Sequence, residues 1–277
     1  MEWKAVVIVV AGLMATATGT PISDCSARFQ QSLTEVLQLK KTCARAMYKD
    51  CCQIAQMSKT FDHNPKSGIY DINEVCHTTT PFGLNFSPMQ AHCNMESGDG
   101  GWIILVRRTP DVAERVSFKK SWVEYENGFG NLSGEFWYGL KNMHCLTSRE
   151  PMEVEVELRK TGGTKLVLSY GSFKVDGPDT SYTLHVSGKQ YKGSDYFQYH
   201  NGMKFSTFDR DNDLYSGSCS TAYNNGGFWF KSCYDMHLTD MPKPQLHISG
   251  FDPYDYAELR VRPKGCITLN DSSGSCD

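Results

Sequence analysis

The chain has 277 residues, 40% of them apolar and 21% charged, the balance of a globular protein with a sizeable core rather than of a disordered or fibrous one. Its 28 basic and 31 acidic residues give a net charge of -3, so no basic field holds a phosphate backbone, which argues against nucleic acid as a partner. The 11 cysteines all follow residue 24 and none has C-x-x-C spacing, which excludes finger-type metal sites and thioredoxin-like redox pairs and fits a disulfide framework in an oxidising compartment. Because the number is odd, at least one thiol is free or bonded to a second chain unless the chain is cleaved after its signal.

Lys4 precedes an apolar run from Ala5 to Ala15 that is too short to cross about 30 Å of hydrocarbon as a helix. Ala15-Thr16-Ala17 and Ala17-Thr18-Gly19 are alternative cleavage sites, the pattern of a secretory signal over residues 1–19. A retained signal anchor is disfavoured by the short run. No later segment is apolar for long enough to span a bilayer, so the chain is expected to be secreted with no membrane span.

From Asp24 to Gln56 proline and glycine are absent and a helix is expected, with residues 20–49 forming an oligomerising segment. Phe29, Leu33, Val36, Cys43 and Met47 follow a heptad-like spacing with Lys40 at the missing seam position. That suits either a coiled coil of about three heptads or an amphipathic helix lying on the next domain. Cys25 and Cys43 are the candidates for covalent links that make a homo-oligomer.

Residues 58–100 are rich in turn formers and carry Cys76 and Cys93. Trp102 to Val106 is an apolar run suited to the middle of a sheet. Ser121 can cap a short helix through Tyr125 that ends at Gly128. Met152 to Arg159 alternates, with one face for a core and Glu153, Glu155 and Glu157 for water, and Thr161-Gly162-Gly163-Thr164 turns it into an antiparallel partner, Lys165 to Tyr170. Tyr182 to Val186 and Ala257 to Arg262 are further strands, the last stopping at Pro263. Residues 188–252 lack periodicity, so the fold class is α+β, mostly antiparallel, with segregated loops.

Asp209, Asp211 and Asp213 place three carboxylates at alternate positions in an oxygen-rich stretch, which suits a hard cation such as calcium. Leu214 and Ser220 stand where an EF-hand needs glycine and glutamate, so this is another kind of site or else a solvated acidic turn. Cys219 and Cys233 flank the stretch, and a bridge between them, closing about 13 residues, removes roughly 3 kcal/mol of unfolded-chain entropy. Tyr223, Phe228, Trp229, Phe230, Tyr234 and His237 follow, as rings for a ligand pocket or as a small core, with Tyr234 and His237 expected to be the exposed members. The chain lacks G-x-S-x-G, H-E-x-x-H and a P-loop, so no enzyme is expected. Sequons occur at Asn85, Asn131 and Asn270; Pro88 makes the first a poor acceptor, Asn131 is expected to be partly buried, and Asn270 is favoured.

Gly100-Gly101-Trp102, Arg107-Arg108, Trp122-x-Glu124-Tyr125, Gly128 to Trp137 and His200 to Asp213 resemble the fibrinogen C-terminal domain, also found in ficolins, tachylectins and angiopoietins. The resemblance covers residues 50–264, leaving 265–277 as a cysteine-containing tail. It implies calcium held by Asp211 and Asp213 with the carbonyls of Tyr215 and Gly217, and Asp209 in a supporting role. It also implies disulfides Cys219–Cys233 and Cys93 with Cys51 or Cys52, with Cys76–Cys145 as an additional pair. The ligand then sits at Ser232, Cys233, Tyr234, His237 and Trp229, where a cis peptide before Cys233 turns its amide to the ligand. Tyr234 stands where many relatives carry histidine, and Tyr254 or Tyr256 is the expected pocket wall. The implied function is that of a calcium-dependent lectin binding acetylated glycans or glycoproteins on microbial surfaces. The alternative is an extracellular-matrix or cell-surface ligand with only structural calcium.

Overall fold

The computed structural model describes residues 48–60, 64–74, 87–240, 242–247 and 251–266. The expected signal, the heptad segment, Cys25, Cys43, Cys76, Asn85 and Asn270 lie outside the described residues. Tyr48 to Asp50 are not helical, so no helix runs unbroken to Gln56. A new helix, α1 (Cys51–Thr60), starts after Asp50, whose Oδ1 accepts the Gln53 N–H at 2.9 Å as an N-cap does.

The main sheet is antiparallel and contains β1 (Gly68–Glu74), β2 (Ser87–Asn94), β3 (Trp102–Arg108), β6 (Met152–Arg159), β7 (Lys165–Val175), β8 (Leu184–Lys189) and β12 (Tyr256–Pro263), in the order β1-β2-β3-β12-β6-β7-β8. Short strands β4 (Phe129–Gly130) and β5 (Phe136–Trp137) extend it beside β3. The Trp102 run is central, as its composition demands. The final alternating strand, β12, is inserted between β3 and β6, so residues far apart in sequence close the middle of the sheet. The β6–β7 hairpin turns at Gly162 and Gly163, whose φ values of 97° and 99° are open to glycine at no steric cost. Helix α2 (Trp122–Asn127) carries the full capping box: the Ser121 side chain accepts the Glu124 N–H while the Glu124 carboxylate accepts the Ser121 N–H. Helix α3 (Leu140–Arg149) packs on β7.

The three glutamates of β6 do not face open water. Each meets an arginine of the adjacent β12: Glu153 takes Arg262, Glu155 takes Arg260 at 2.6 Å, and Glu157, fully buried, takes Arg260 at 3.1 Å together with Arg159 and Lys165. Alternation within one strand cannot reveal that the neighbouring strand alternates in the opposite charge, and this pairing covers the second face of the sheet.

One cation ties the sheet to the loops. Arg108, at the end of β3, is fully buried; its Nε donates to Glu135 Oε1 at 3.3 Å, and its remaining donors reach the carbonyls of Leu238, Asp240 and Pro242 at 2.9–3.1 Å. Its guanidinium carbon lies 4.2 Å from the centre of the Phe118 ring. Glu135, also buried, accepts in addition from Arg115 and from the backbone of Thr109 and Val116. Removing one member of a buried charge pair leaves the other uncompensated, so Glu135→Ala is expected to destabilise the domain by about 3–5 kcal/mol. The exposed cap change Glu124→Ala should cost only about 1 kcal/mol. Denaturant unfolding of the two variants checks this, and equal losses would contradict it.

Candidate functional site

Apart from the two-residue strand β9 (Met236–His237), the segment from Phe205 to Asp240 is held by an aromatic core rather than by regular strands. Trp229 is fully buried against Trp137 and Phe205, with ring centres 5.8 and 5.2 Å away, and its indole N–H donates to Tyr182 O at 2.7 Å. Tyr125 donates its hydroxyl to Phe118 O and accepts the Gly227 N–H at 2.9 Å. A methyl group on Gly227 would lie 2.8 Å from the Tyr125 ring and 2.9 Å from Phe205, which is why glycine stands there. Ser206 and Phe228 exchange both backbone hydrogen bonds, which fixes the start of the 205–213 segment beside Phe228.

Within this frame the three expected carboxylates separate into two groups. Asp209 turns away: its carboxylate accepts the Trp122 N–H at the start of α2 at 2.9 Å and the Thr207 hydroxyl at 2.7 Å. Asp211 and Asp213 stay together. Asp211 Oδ1 accepts the Asp213 N–H at 3.1 Å, Asp213 Oδ1 accepts the Tyr215 N–H, and Asp213 Oδ2 accepts the Cys219 N–H, both at 2.9 Å. Burial, and then the charge of Asp211, push the Asp213 carboxyl above its ordinary range despite these donors. Among the described residues no donor is bonded to the carbonyls of Tyr215 and Gly217, and no three His, Cys, Asp or Glu side chains form a metal-ligand group. Two repelling carboxylates beside free carbonyl oxygens fit a hard oxygen-seeking cation.

The acidic turn is wired to the loop behind it. The amide capped by Asp213 belongs to Cys219, the first residue of the short helix α4 (Cys219–Ala222), and Cys219 is bonded to Cys233. The Leu214 N–H donates to Lys231 O at 2.8 Å, two residues before Cys233. Beyond the disulfide the structure corrects the sequence reading: Tyr234 and His237 are both buried. The Tyr234 ring packs edge-on against Tyr223, 4.8 Å away, and His237 lies 4.9 Å from Phe230 and 5.0 Å from Tyr234. Trp229 is core. The exposed residues at this loop are Thr221, Ala222, Asn224, Lys231 and Ser232, with Tyr199 and Tyr223 half-buried, and Tyr199 donates its hydroxyl to Ser232 O at 3.2 Å. Tyr256 lies under Arg159, and Tyr254 is buried at the hairpin of β10 (Gln245–His247) and β11 (Phe251–Pro253) with Lys160 over its ring.

The pairing left open at Cys93 falls to Cys51, while Cys52 bonds Cys266 of the expected tail. Cys145 is also disulfide-bonded, and its expected partner Cys76 lies outside the described residues. Asn131 is exposed rather than partly buried, in the turn between β4 and β5, where its side chain accepts from the Ser133 N–H.

A fibrinogen profile, described as the beta and gamma chains' C-terminal globular domain, matches residues 47–246. The chain belongs to the fibrinogen C-terminal domain family. Fibrinogen-like protein A of Apostichopus parvimensis is 37% identical over 225 residues, covering 77% of this chain and 75% of its own. Chicken tenascin is 35% identical over 196 residues, 68% of this chain but only 11% of tenascin. The fibrinogen-like globe domain of human ANGPTL6 superposes with a TM-score of 0.64 at 27% identity, covering 78% of this chain and 95% of that domain. Fibrinogen-like domains are non-enzymatic recognition and structural modules, and no helix among the described residues is long and apolar enough to cross a membrane.

In this fibrinogen-like domain His200 is the feature that spacing alone does not reveal. Fully buried, it hydrogen-bonds through Nδ1 to Trp229 O at 2.7 Å and accepts the Met236 N–H on Nε2 at 3.1 Å, so it bridges the two sides of the disulfide loop as a neutral ring. Burial lowers its pKa to about 4, and burial with the neighbouring His200 holds His237 well below the ordinary histidine value. A folded pKa below the unfolded one means that stability is present above the unfolded value and is lost as pH falls toward the folded one. Between pH 7 and pH 4.5 His200 alone should remove about 2–3 kcal/mol. Urea unfolding across that range checks this, and a His200→Gln variant with an equally steep loss would contradict the assignment.

Proposed function

We propose that the chain is a secreted, calcium-dependent recognition protein of lectin type. Its disulfide-pinned loop binds acetylated or related glycans and glycoproteins, and bonds through Cys25 and Cys43 make it a homo-oligomer. The observation that carries this reading is the Asp211–Asp213 pair, whose own hydrogen bonds reach the amide of Cys219 and so the loop that ends at Cys233. Calcium there supplies positive charge to both carboxylates, with Tyr215 and Gly217 carbonyls completing the protein ligands. Such a donor set belongs with extracellular sites of roughly 0.1–1 mM dissociation constant. Secretion is supported by the signal-like N-terminus, by oxidised cysteines that persist outside the cytosol, and by extracellular relatives such as tenascin. Linkage raises the avidity of weak single sites by ~100-fold or more.

The burial of Tyr234 and His237 favours one competing reading, a protein ligand resting on the exposed Ser232 and Asn224 rather than a sugar entering a ring-lined pocket. Retention on N-acetylglucosamine resin separates them. The lectin reading expects binding in millimolar calcium, release by EDTA and no retention of Asp211→Ala. Retention that survives EDTA, or silence on a sugar array beside a tight receptor contact, overturns it.

Because the folded Asp213 pKa is raised, that carboxyl favours the fold below its unfolded pKa, and the benefit disappears as pH rises through the folded value. Bound calcium offsets the loss. The calcium-induced rise in melting temperature should therefore be larger at pH 7.4 than at pH 4.5 and absent in Asp211→Ala; equal rises at both pH values, or in both proteins, would contradict the site. Asn131, exposed on its turn, is a proposed glycan acceptor: endoglycosidase treatment should lower the mass of wild type by more than that of Asn131→Gln, and identical shifts would remove it.

A further inference from the structure

A cleft of about 340 Å³ lies over β2, β3 and β12, and no residue of the acidic turn lines it. That volume lies at the small end of ligand sites, which run from ~300 to ~1,000 Å³. Its floor is polar and largely self-satisfied. Glu258 accepts from Asn94 Nδ2 and Arg260 Nη1, both at 2.9 Å, and from the Tyr256 hydroxyl at 2.5 Å. Arg159, stacked 4.3 Å over the Tyr256 ring, is committed to Glu157.

Arg107 is the exception. It stands opposite Glu258 in the β3–β12 register, yet that carboxylate is already taken by other donors. Among the described residues its guanidinium makes a single hydrogen bond, Nη1 to Ser133 O at 3.3 Å, and its Nε is buried with no acceptor. A cation with spare donors beside a floor carboxylate that is already occupied, and out of hydrogen-bond contact with the rim carboxylates, can take an acceptor from outside. The rim limits what that acceptor can be. Exposed Glu96 and Asp111 line the same cleft and repel a ligand that offers only negative charge. They suit one that also presents hydroxyl donors, and His92, whose Nδ1 is engaged with Leu132 O, keeps Nε2 as one more acceptor.

We propose that this cleft binds one acidic sugar unit, its carboxylate on Arg107 and its hydroxyls on Glu96 and Asp111. The site is independent of calcium and of the loop closed by Cys219 and Cys233.

The test uses the full secreted chain, with sodium glucuronate as probe and glucose and sodium sulfate as controls, read by calorimetry and saturation-transfer NMR. Glucuronate should bind at least ~10-fold more tightly than glucose, equally with and without EDTA, and Arg107→Met should weaken it at least ~10-fold, one charge-assisted contact's worth, with an unchanged melting temperature. Glu96→Leu, at an exposed position that bears no structural load, should weaken glucuronate and strengthen any residual sulfate binding. Equal glucuronate affinity in wild type and Arg107→Met overturns the proposal. Sulfate binding as tight as glucuronate overturns it too, because the cleft would then be a simple anion site. Loss of glucuronate binding in EDTA would move the ligand to the acidic turn and overturn it as well.

Discussion

The carboxylate of Asp213 joins the acidic turn to the disulfide-closed loop. It accepts two backbone amides, one from Tyr215 inside the acidic turn and one from Cys219 at the start of the disulfide-closed loop, while Asp211 stands against it. The amides favour its charge; burial and Asp211 oppose it. The Cys219–Cys233 bond and the Leu214 N–H to Lys231 O hydrogen bond hold the backbone beside it, and a cation that offsets the charge would relieve the repulsion from Asp211. The proposed cation acts there, on Asp211, Asp213 and the carbonyls of the exposed residues Tyr215 and Gly217.

Behind the turn two buried devices hold the loop segment to the sheet. Arg108 serves three carbonyls between Leu238 and Pro242 from a position pinned by Glu135, and His200 bridges Trp229 and Met236. Both place polar or charged groups in the interior, which is tolerated because nearly every donor and acceptor has a partner. His237 departs from that rule: its two ring nitrogens are buried without a hydrogen-bond partner among the described residues, enclosed by Phe228, Phe230 and Tyr234. A histidine in that position stays neutral and packs as an aromatic ring.

Much of this was legible in the sequence where the signal is local. The capping box at Ser121 and Glu124, the Gly162-Gly163 turn, the alternation of Met152 to Arg159 and of Ala257 to Arg262, and the Cys219–Cys233 bridge closing the loop after the acidic turn all appear where short-range rules place them. What failed depended on long-range neighbours. Glu157 is buried because Arg260, more than a hundred residues later, lies on the adjacent strand. Tyr234 and His237 are interior because Tyr223 and Phe230 close over them, and no periodicity in an irregular loop reports which ring faces outward. The partner of Cys93 could not be chosen between Cys51 and Cys52, since vicinal cysteines are equally near in sequence, and only the packing of Cys52 against Gly101 and Cys266 decides it. Family resemblance, by contrast, identified the domain from its motifs.

Diffraction from crystals grown in millimolar calcium tests the central claim most directly. The account predicts a cation at about 2.3–2.6 Å from one oxygen each of Asp211 and Asp213 and from the carbonyls of Tyr215 and Gly217. Water alone between those two side chains, with the Cys219–Cys233 loop in an unchanged conformation, would contradict it.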